Sequence, residues 1–118
     1  MTATFAGGRN IALKVPPHQY DATVRFYRDV IGLEPLDNHP PAIGFRFGAN
    51  QLWIDRVDAL SQAELWLEIV AEDVPRAAEH FAEASVARRD EIERLPDGFW
   101  ISDPAGIIHI VTAKSSQY

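Results

Sequence analysis

The sequence predicts an α+β fold: two copies of one strand–helix–strands unit, whose half-shells form a curved, cup-like mixed sheet with helices on the outer face. Three observations predict it. The strand-like run Asn10-Ile11-Ala12-Leu13-Lys14-Val15 leads into a helix-like run ending Arg25-Phe26-Tyr27-Arg28-Asp29-Val30-Ile31-Gly32-Leu33. About 55 residues later Leu65-Trp66-Leu67-Glu68-Ile69-Val70 feeds a second helical stretch, from Val74 to about Ser85. In each copy the apolar period changes from two to helical and back to two, and turn residues mark the changes.

In the first copy Ile11, Leu13 and Val15 alternate with Asn10, Ala12 and Lys14. Pro16-Pro17-His18-Gln19 reads as a turn-type interruption, with Asp21 or the residues just before it capping the helix. Tyr20, Val24, Tyr27 and Ile31 then form a helical stripe, which Gly32 closes with a left-handed cap and Pro35 keeps from resuming. Leu33 to Leu36 is a short strand at most, and Asn38 to Pro41 a loop. Ile43, Phe45 and Phe47, then Leu52 and Ile54, alternate on either side of Gly48-Ala49-Asn50 as a hairpin. Val57 to Gln62 reads as the linker.

The second copy repeats this order. Leu65, Leu67 and Ile69 alternate with Trp66, Glu68 and Val70. Asp73 is an N-cap, Pro75 fits the first turn, and Ala77, Ala78, Phe81 and Ala84 or Ser85 make the buried stripe. Three strands are expected near Arg88–Glu93, Phe99–Ser102 and Ile107–Ala113, joined by turns at Asp97-Gly98 and Asp103-Pro104-Ala105-Gly106. Lys114 to Tyr118 reads as a frayed tail.

The 118 residues are expected to make one domain, and 47% hydrophobic with 24% charged residues is an ordinary globular balance. A net charge of −6 argues against nucleic acid, and Arg88-Arg89 is answered at once by Asp90-Glu91. No apolar run is long enough for a membrane span, and Met1 to Arg9 carries no secretory pattern. The chain has no cysteine, which removes thiolate chemistry and fits a cytoplasmic protein. Serine-elbow, phosphate-loop and His-Glu-x-x-His patterns are all missing.

Four stretches resemble the vicinal oxygen chelate superfamily, which includes glyoxalases, bleomycin-resistance proteins and extradiol dioxygenases. They are Ile11-Ala12-Leu13-Lys14-Val15-Pro16, the segment Ala22 to Leu33 with its Phe-Tyr…Gly-Leu signature, Glu72-Asp73-Val74, and Asp103-Pro104-Ala105-Gly106. The resemblance implies one glyoxalase/bleomycin-resistance-like domain over 1–118, of paired βαβββ modules at about 9–57 and 64–113, often dimeric. It names no single reaction.

Alternation then sorts the cup-facing positions: Asn10, Ala12 and Lys14; Trp53 and Asp55; Trp66, Glu68 and Val70; and Ile107, His109 and Val111, with Ile108 and Ile110 on the helix. Metal-dependent members of the family place a His early in a module's first strand and a Glu in its last. Asn10 and Trp66 stand at the two His-type positions, while His109 and Asp55 (or Trp53) fall near the Glu-type ones. Such a set is short of the three or four converging donors that a divalent metal needs. The expectation is therefore a metal-independent protein that binds a small molecule without a cofactor, in the manner of the resistance or sequestration branch. Asn10, Lys14, Trp53, Asp55, Trp66, Glu68, Trp100 and His109 would line its site.

Duller readings stand beside these. His109 reads equally as a hydrogen-bonded structural group, the tryptophans as sheet or interface residues, and Asp55-Arg56 as a surface ion pair. His18 and His80 look exposed, and His39 sits in a loop. The alternative function is a divalent-metal lyase, isomerase or dioxygenase with His109 and Asp55 as ligands. A third class is a structural or regulatory dimer. A homodimer is expected from the resemblance, with no nucleic-acid or membrane partner.

Overall fold

The period-two runs become strands of a mixed eight-stranded sheet, and each unit carries one helix layer. The computed structural model describes residues 3–37 and 40–114. His39, the start of the 38–41 loop and the tail beyond Lys114 lie outside the described residues. The chain divides into two units: Arg9 to Leu65, and Trp66 onward together with the segment up to Gly8.

In the first unit, β2 (Asn10–Val15) runs parallel to β4 (Asn50–Arg56), with Asn10 opposite Gln51 and Lys14 opposite Asp55. β3 (Ile43–Phe47) is antiparallel to β4, and Pro35 makes a single bridge to Phe45. One sheet face carries the core. Val15, Val24, Phe45, Leu52 and Ile54 are buried, and Ile11, Leu13, Tyr20, Tyr27, Leu33 and Ile43 pack on them. Helix α1 (Pro17–Arg25) covers that face.

The predicted interruption is shorter than expected. Pro17 opens the helix, since a first-turn residue has no intrahelical use for its missing N–H, and Pro16 rather than Asp21 stands at the cap. From Phe26 to Ile31 the helix widens into a π turn, which Gly32 ends at φ 75° as expected of a left-handed cap. The extra residue in that turn displaces the stripe. Ile31, expected in the core, is 52% exposed, and Leu33 packs in the core instead.

The second unit follows the same plan. β5 (Glu64–Ala71), whose first two residues belong to the first unit, is parallel to β8 (Ile108–Thr112). β7 (Gly98–Ser102) is antiparallel to β8, and the two-residue β6 (Ala87–Arg88) pairs with β7. Here too the first and last strands of the unit are parallel and the last two antiparallel. The order of the duplication is therefore real. A strand not expected from the sequence, β1 (Phe5–Gly7), adds antiparallel to β5 with Phe5 opposite Ala71. Its ring reaches Phe81 at 5.0 Å, and Phe81 meets Phe99 edge-on at 6.1 Å.

Helix α2 (Val74–Glu83) buries Ala77 and packs Val74, Ala78 and Phe81 on Ala71, Phe99, Ile101 and Val111. It ends before the expected Ala84 and Ser85, and Val86 takes the last core place. Leu65 and Leu67, expected to pack inward, are 48% and 37% exposed. The reason is length: eight strand residues reach ~26 Å while ten helical ones reach ~15 Å. As expected, Asp73 caps α2, accepting from Arg76 N at 3.0 Å. Asp73→Ala should lower the unfolding free energy by about 1 kcal/mol, measured by urea denaturation.

Candidate functional site

The first unit's sheet face away from α1 carries its polar residues, as alternation requires. Asn10 Oδ1 accepts two hydrogen bonds from β4, from Gln51 Nε2 at 2.9 Å and from Trp53 Nε1 at 2.8 Å. Both donors lie on the Asn10 face because β2 and β4 are parallel and in register there. Gly44 is opposite Trp53 across the hairpin, and the indole lies against it: a β-carbon at 44 would stand 2.5 Å from Trp53 Cε3. Trp53 is thus fixed by a bond at one edge and backbone beneath its ring. Ala12, in register with Trp53, is small.

Two residues further along the same face, Lys14 Nζ donates to Asp55 Oδ2 at 2.8 Å, with side-chain exposures of 18% and 35%. Asp55 Oδ1 takes no bond among the described residues. The carboxylate is therefore the more open end of a half-buried pair. Arg56 turns away to Asp58, so the surface pairing of Asp55 with Arg56 does not occur. Burial first, and then the Asp55 carboxylate, hold the Tyr20 phenol above its ordinary pKa, so it stays protonated at neutral pH.

In the second unit Trp66 and Glu68 share the face away from α2, as alternation predicted. Trp100 joins them, its ring 5.3 Å from that of Trp66 and edge-on. Among the described residues Trp100 Nε1 is buried without a partner. The Glu68 side chain crosses Gly8, whose N–H donates to the Glu68 carbonyl at 2.8 Å. At the edge Arg89 Nη1 donates to Ser102 Oγ at 2.8 Å, and Arg88 and Arg89 pair with Asp90 and Glu91.

His109 is a correction. It lies in register between Leu67 and Ile101, two residues before Val111, which is fully buried in the α2 core. His109 therefore faces the helix side, and Ile108, Ile110 and Thr112 take the face expected for it. Apolar residues stand on both faces of the strand, so composition gave no phase. The phase comes from the Asp103 turn, where Asp103 Oδ1 accepts from Ala105 N and Ile107 N and sets β8 against Ser102. His109 Nδ1 lies 3.0 Å from the Ile107 carbonyl, a pure acceptor, so that nitrogen carries the proton.

Gly44 and Gln51 were not expected as site residues. Counting back from the Gly48-Ala49 turn pairs Gly44 with Trp53, so a signal for Gly44 existed. Gln51 had none, since its bond to Asn10 needs the parallel register.

No family model matches the chain, and no curated relative does. Solved structures do. The Mn(II)-bound glyoxalase from Novosphingobium aromaticivorans is 17% identical with a TM-score of 0.66, over 99% of this chain and 43% of that one. Methylmalonyl-CoA epimerase from Mycobacterium tuberculosis is 10% identical with a TM-score of 0.63, over 94% and 89%. Homoprotocatechuate 2,3-dioxygenase from Brevibacterium fuscum is 18% identical with a TM-score of 0.62, over 97% and 38%. The chain has the vicinal oxygen chelate fold. It spans less than half the length of the glyoxalase and the dioxygenase.

A vicinal oxygen chelate fold implies a divalent metal in several of its members, and the residues here do not suit one. Asn10 Oδ1 is engaged by two N–H donors, Trp66 offers no ligand atom, Asp55 already accepts from Lys14 on Oδ2, and His109 faces the helix. Among the described residues no three His, Cys, Asp or Glu side chains converge. No helix of the described residues is long and apolar enough to cross a membrane.

Proposed function

We propose that the protein binds a small organic molecule without a metal, through the first unit's polar sheet face. The immobilised Trp53 indole carries this reading: Gly44 and Asn10 set its position before any ligand arrives, which removes part of the ordering cost of binding. Asp55 adds a carboxylate oxygen on the same face, two residues along the strand. An indole next to an open carboxylate favours a planar aromatic ligand with a positive charge, held by cation–π attraction and a charge-assisted hydrogen bond. This is the chemistry of a sequestering protein. Trp66 and Trp100 are proposed to give the second unit's own sheet face an aromatic surface, supported by their edge-on pairing.

The test titrates ethidium, and a neutral aromatic of similar size, into the protein while following tryptophan fluorescence. Saturable quenching by the cation is expected. Trp53→Ala should weaken it about tenfold or more and Asp55→Asn about three- to tenfold. Absence of saturable quenching across cationic and neutral aromatic probes would overturn the reading. A parallel titration with Mn(II) addresses the metal-dependent alternative, a lyase, isomerase or dioxygenase. Stoichiometric binding that Asp55→Asn abolishes would establish that alternative instead.

A further inference from the structure

The second unit holds a cavity of about 690 Å³, within the roughly 300–1,000 Å³ of small-molecule sites. It lies on the helix side of the sheet, apart from Trp66 and Trp100, because Phe99, Val74 and Ala78 of the α2 core line it. Phe99 is 4% exposed, so this apolar part is in place before any ligand arrives. The turn from Leu95 to Gly98, closed by a bridge between those two residues, adds a further wall.

The polar groups around the cavity are of both signs. Arg88 stands on the helix side because β6 places it opposite Ile101, a core residue. Its guanidinium is fixed twice, over the Phe99 ring at 4.7 Å and by Nε donating to Asp90 Oδ1 at 2.8 Å. Nη1 and Nη2 have no partner among the described residues, and that edge of the guanidinium matches a carboxylate. Glu72 and Asp97 bring two exposed carboxylates to the same cavity, neither of them paired among the described residues. The start of α2 is a poor anion site: Pro75 has no N–H, and Asp73 Oδ1 takes that of Arg76.

This set of charges narrows the ligand. A plain anion drawn to Arg88 would also meet Glu72 and Asp97, and a plain cation drawn to those acids would meet Arg88. A molecule with one charge of each sign satisfies both, and its apolar body replaces water against Phe99 and Leu95. We propose that the cavity binds an aliphatic zwitterion: an amino acid such as leucine, or a short apolar peptide. The ligand carboxylate lies on Arg88 Nη1 and Nη2, and its ammonium on the Glu72 and Asp97 carboxylates. The site belongs to the second unit alone and is independent of the ligand reading for the first.

The test follows backbone amide shifts of isotope-labelled protein during four titrations. The probes are leucine, leucyl-leucine, isocaproate (leucine without its ammonium) and isoamylamine (leucine without its carboxylate). None has an aromatic ring to engage Trp53. Saturable shifts at Gly98, Phe99 and Ala113 are expected with the zwitterions, and the tighter of the two tells amino acid from peptide. Each single-charge probe should bind about tenfold more weakly. Arg88→Gln should weaken the zwitterion about tenfold, and the Glu72→Gln, Asp97→Asn double variant by about as much. All three positions are exposed, so circular dichroism should not change. Isocaproate binding as tightly as the zwitterions would make this an anion site, and isoamylamine doing so a cation site; either result overturns the proposal. So does a lack of saturable shifts with both zwitterions at millimolar concentration, or an affinity that either variant leaves unchanged.

Discussion

Asn10→Ala is expected to cost about 2–6 kcal/mol of stability and to abolish the preset position of Trp53. Two N–H donors converge on Asn10 Oδ1, and one belongs to Gln51, which is 2% exposed. Removing the acceptor takes a bond from each donor, at about 1–3 kcal/mol apiece where water cannot replace it. Asn10→Asp separates the two contributions, because its carboxylate still accepts both bonds while adding a half-buried charge. Urea denaturation should therefore show a smaller loss for the aspartate than for the alanine. Equal losses would mean that the two bonds contribute little, and that the site is held by packing alone.

The second large effect comes from a residue with no side chain. Gly44→Val places its β-carbon where Trp53 Cε3 now stands 2.5 Å away and Cζ3 2.7 Å away. These atoms belong to a rigid ring rather than to the tip of a flexible chain, so the indole must leave its seat and pull Nε1 from Asn10. Overpacking of that kind costs about 1–3 kcal/mol. The loss should appear together with a red-shifted tryptophan emission and at least tenfold weaker ethidium binding. Gly44→Val with unchanged emission and affinity would show that the seat of Trp53 does not matter to ligand binding. Comparison with Phe47→Val, at an exposed position of the same strand, controls for the β-branched residue itself.

The two variants also show how far each residue's role could be read in the chain. Gly44 was legible in principle, since the hairpin turn at Gly48-Ala49 fixes which residues pair. Asn10 was legible only as a cup-facing residue in a place where metal-dependent relatives keep a ligand. Its two donors are 41 and 43 residues distant, and no local pattern brings them to it. The half-buried pair of Lys14 and Asp55 was likewise visible only as two residues on one face.

Where alternation had a clear phase in the first unit, it was right. Ile11, Leu13 and Val15 pack in the core opposite Asn10, Ala12 and Lys14, and Leu52 and Ile54 opposite Trp53 and Asp55. Apolar and polar residues cannot exchange faces there without unpaired polar groups being buried. In β8 that contrast is missing: Ile107, Ile108, Ile110 and Val111 surround His109, so either phase buries apolar surface. The register with β7, set by the Asp103 turn, made the choice.

By itself, then, the sequence determined the duplicated strand–helix–strands order, the Asp73 and Gly32 caps and the faces of β2, β4 and β5, all of which depend on local energetics over a few residues. Only the tertiary structure decided the π turn that exposes Ile31, the strand β1, the face of His109 and the clamp on Trp53. Each of these depends on partners far apart in the chain, and their free energies appear only once the register between strands is set.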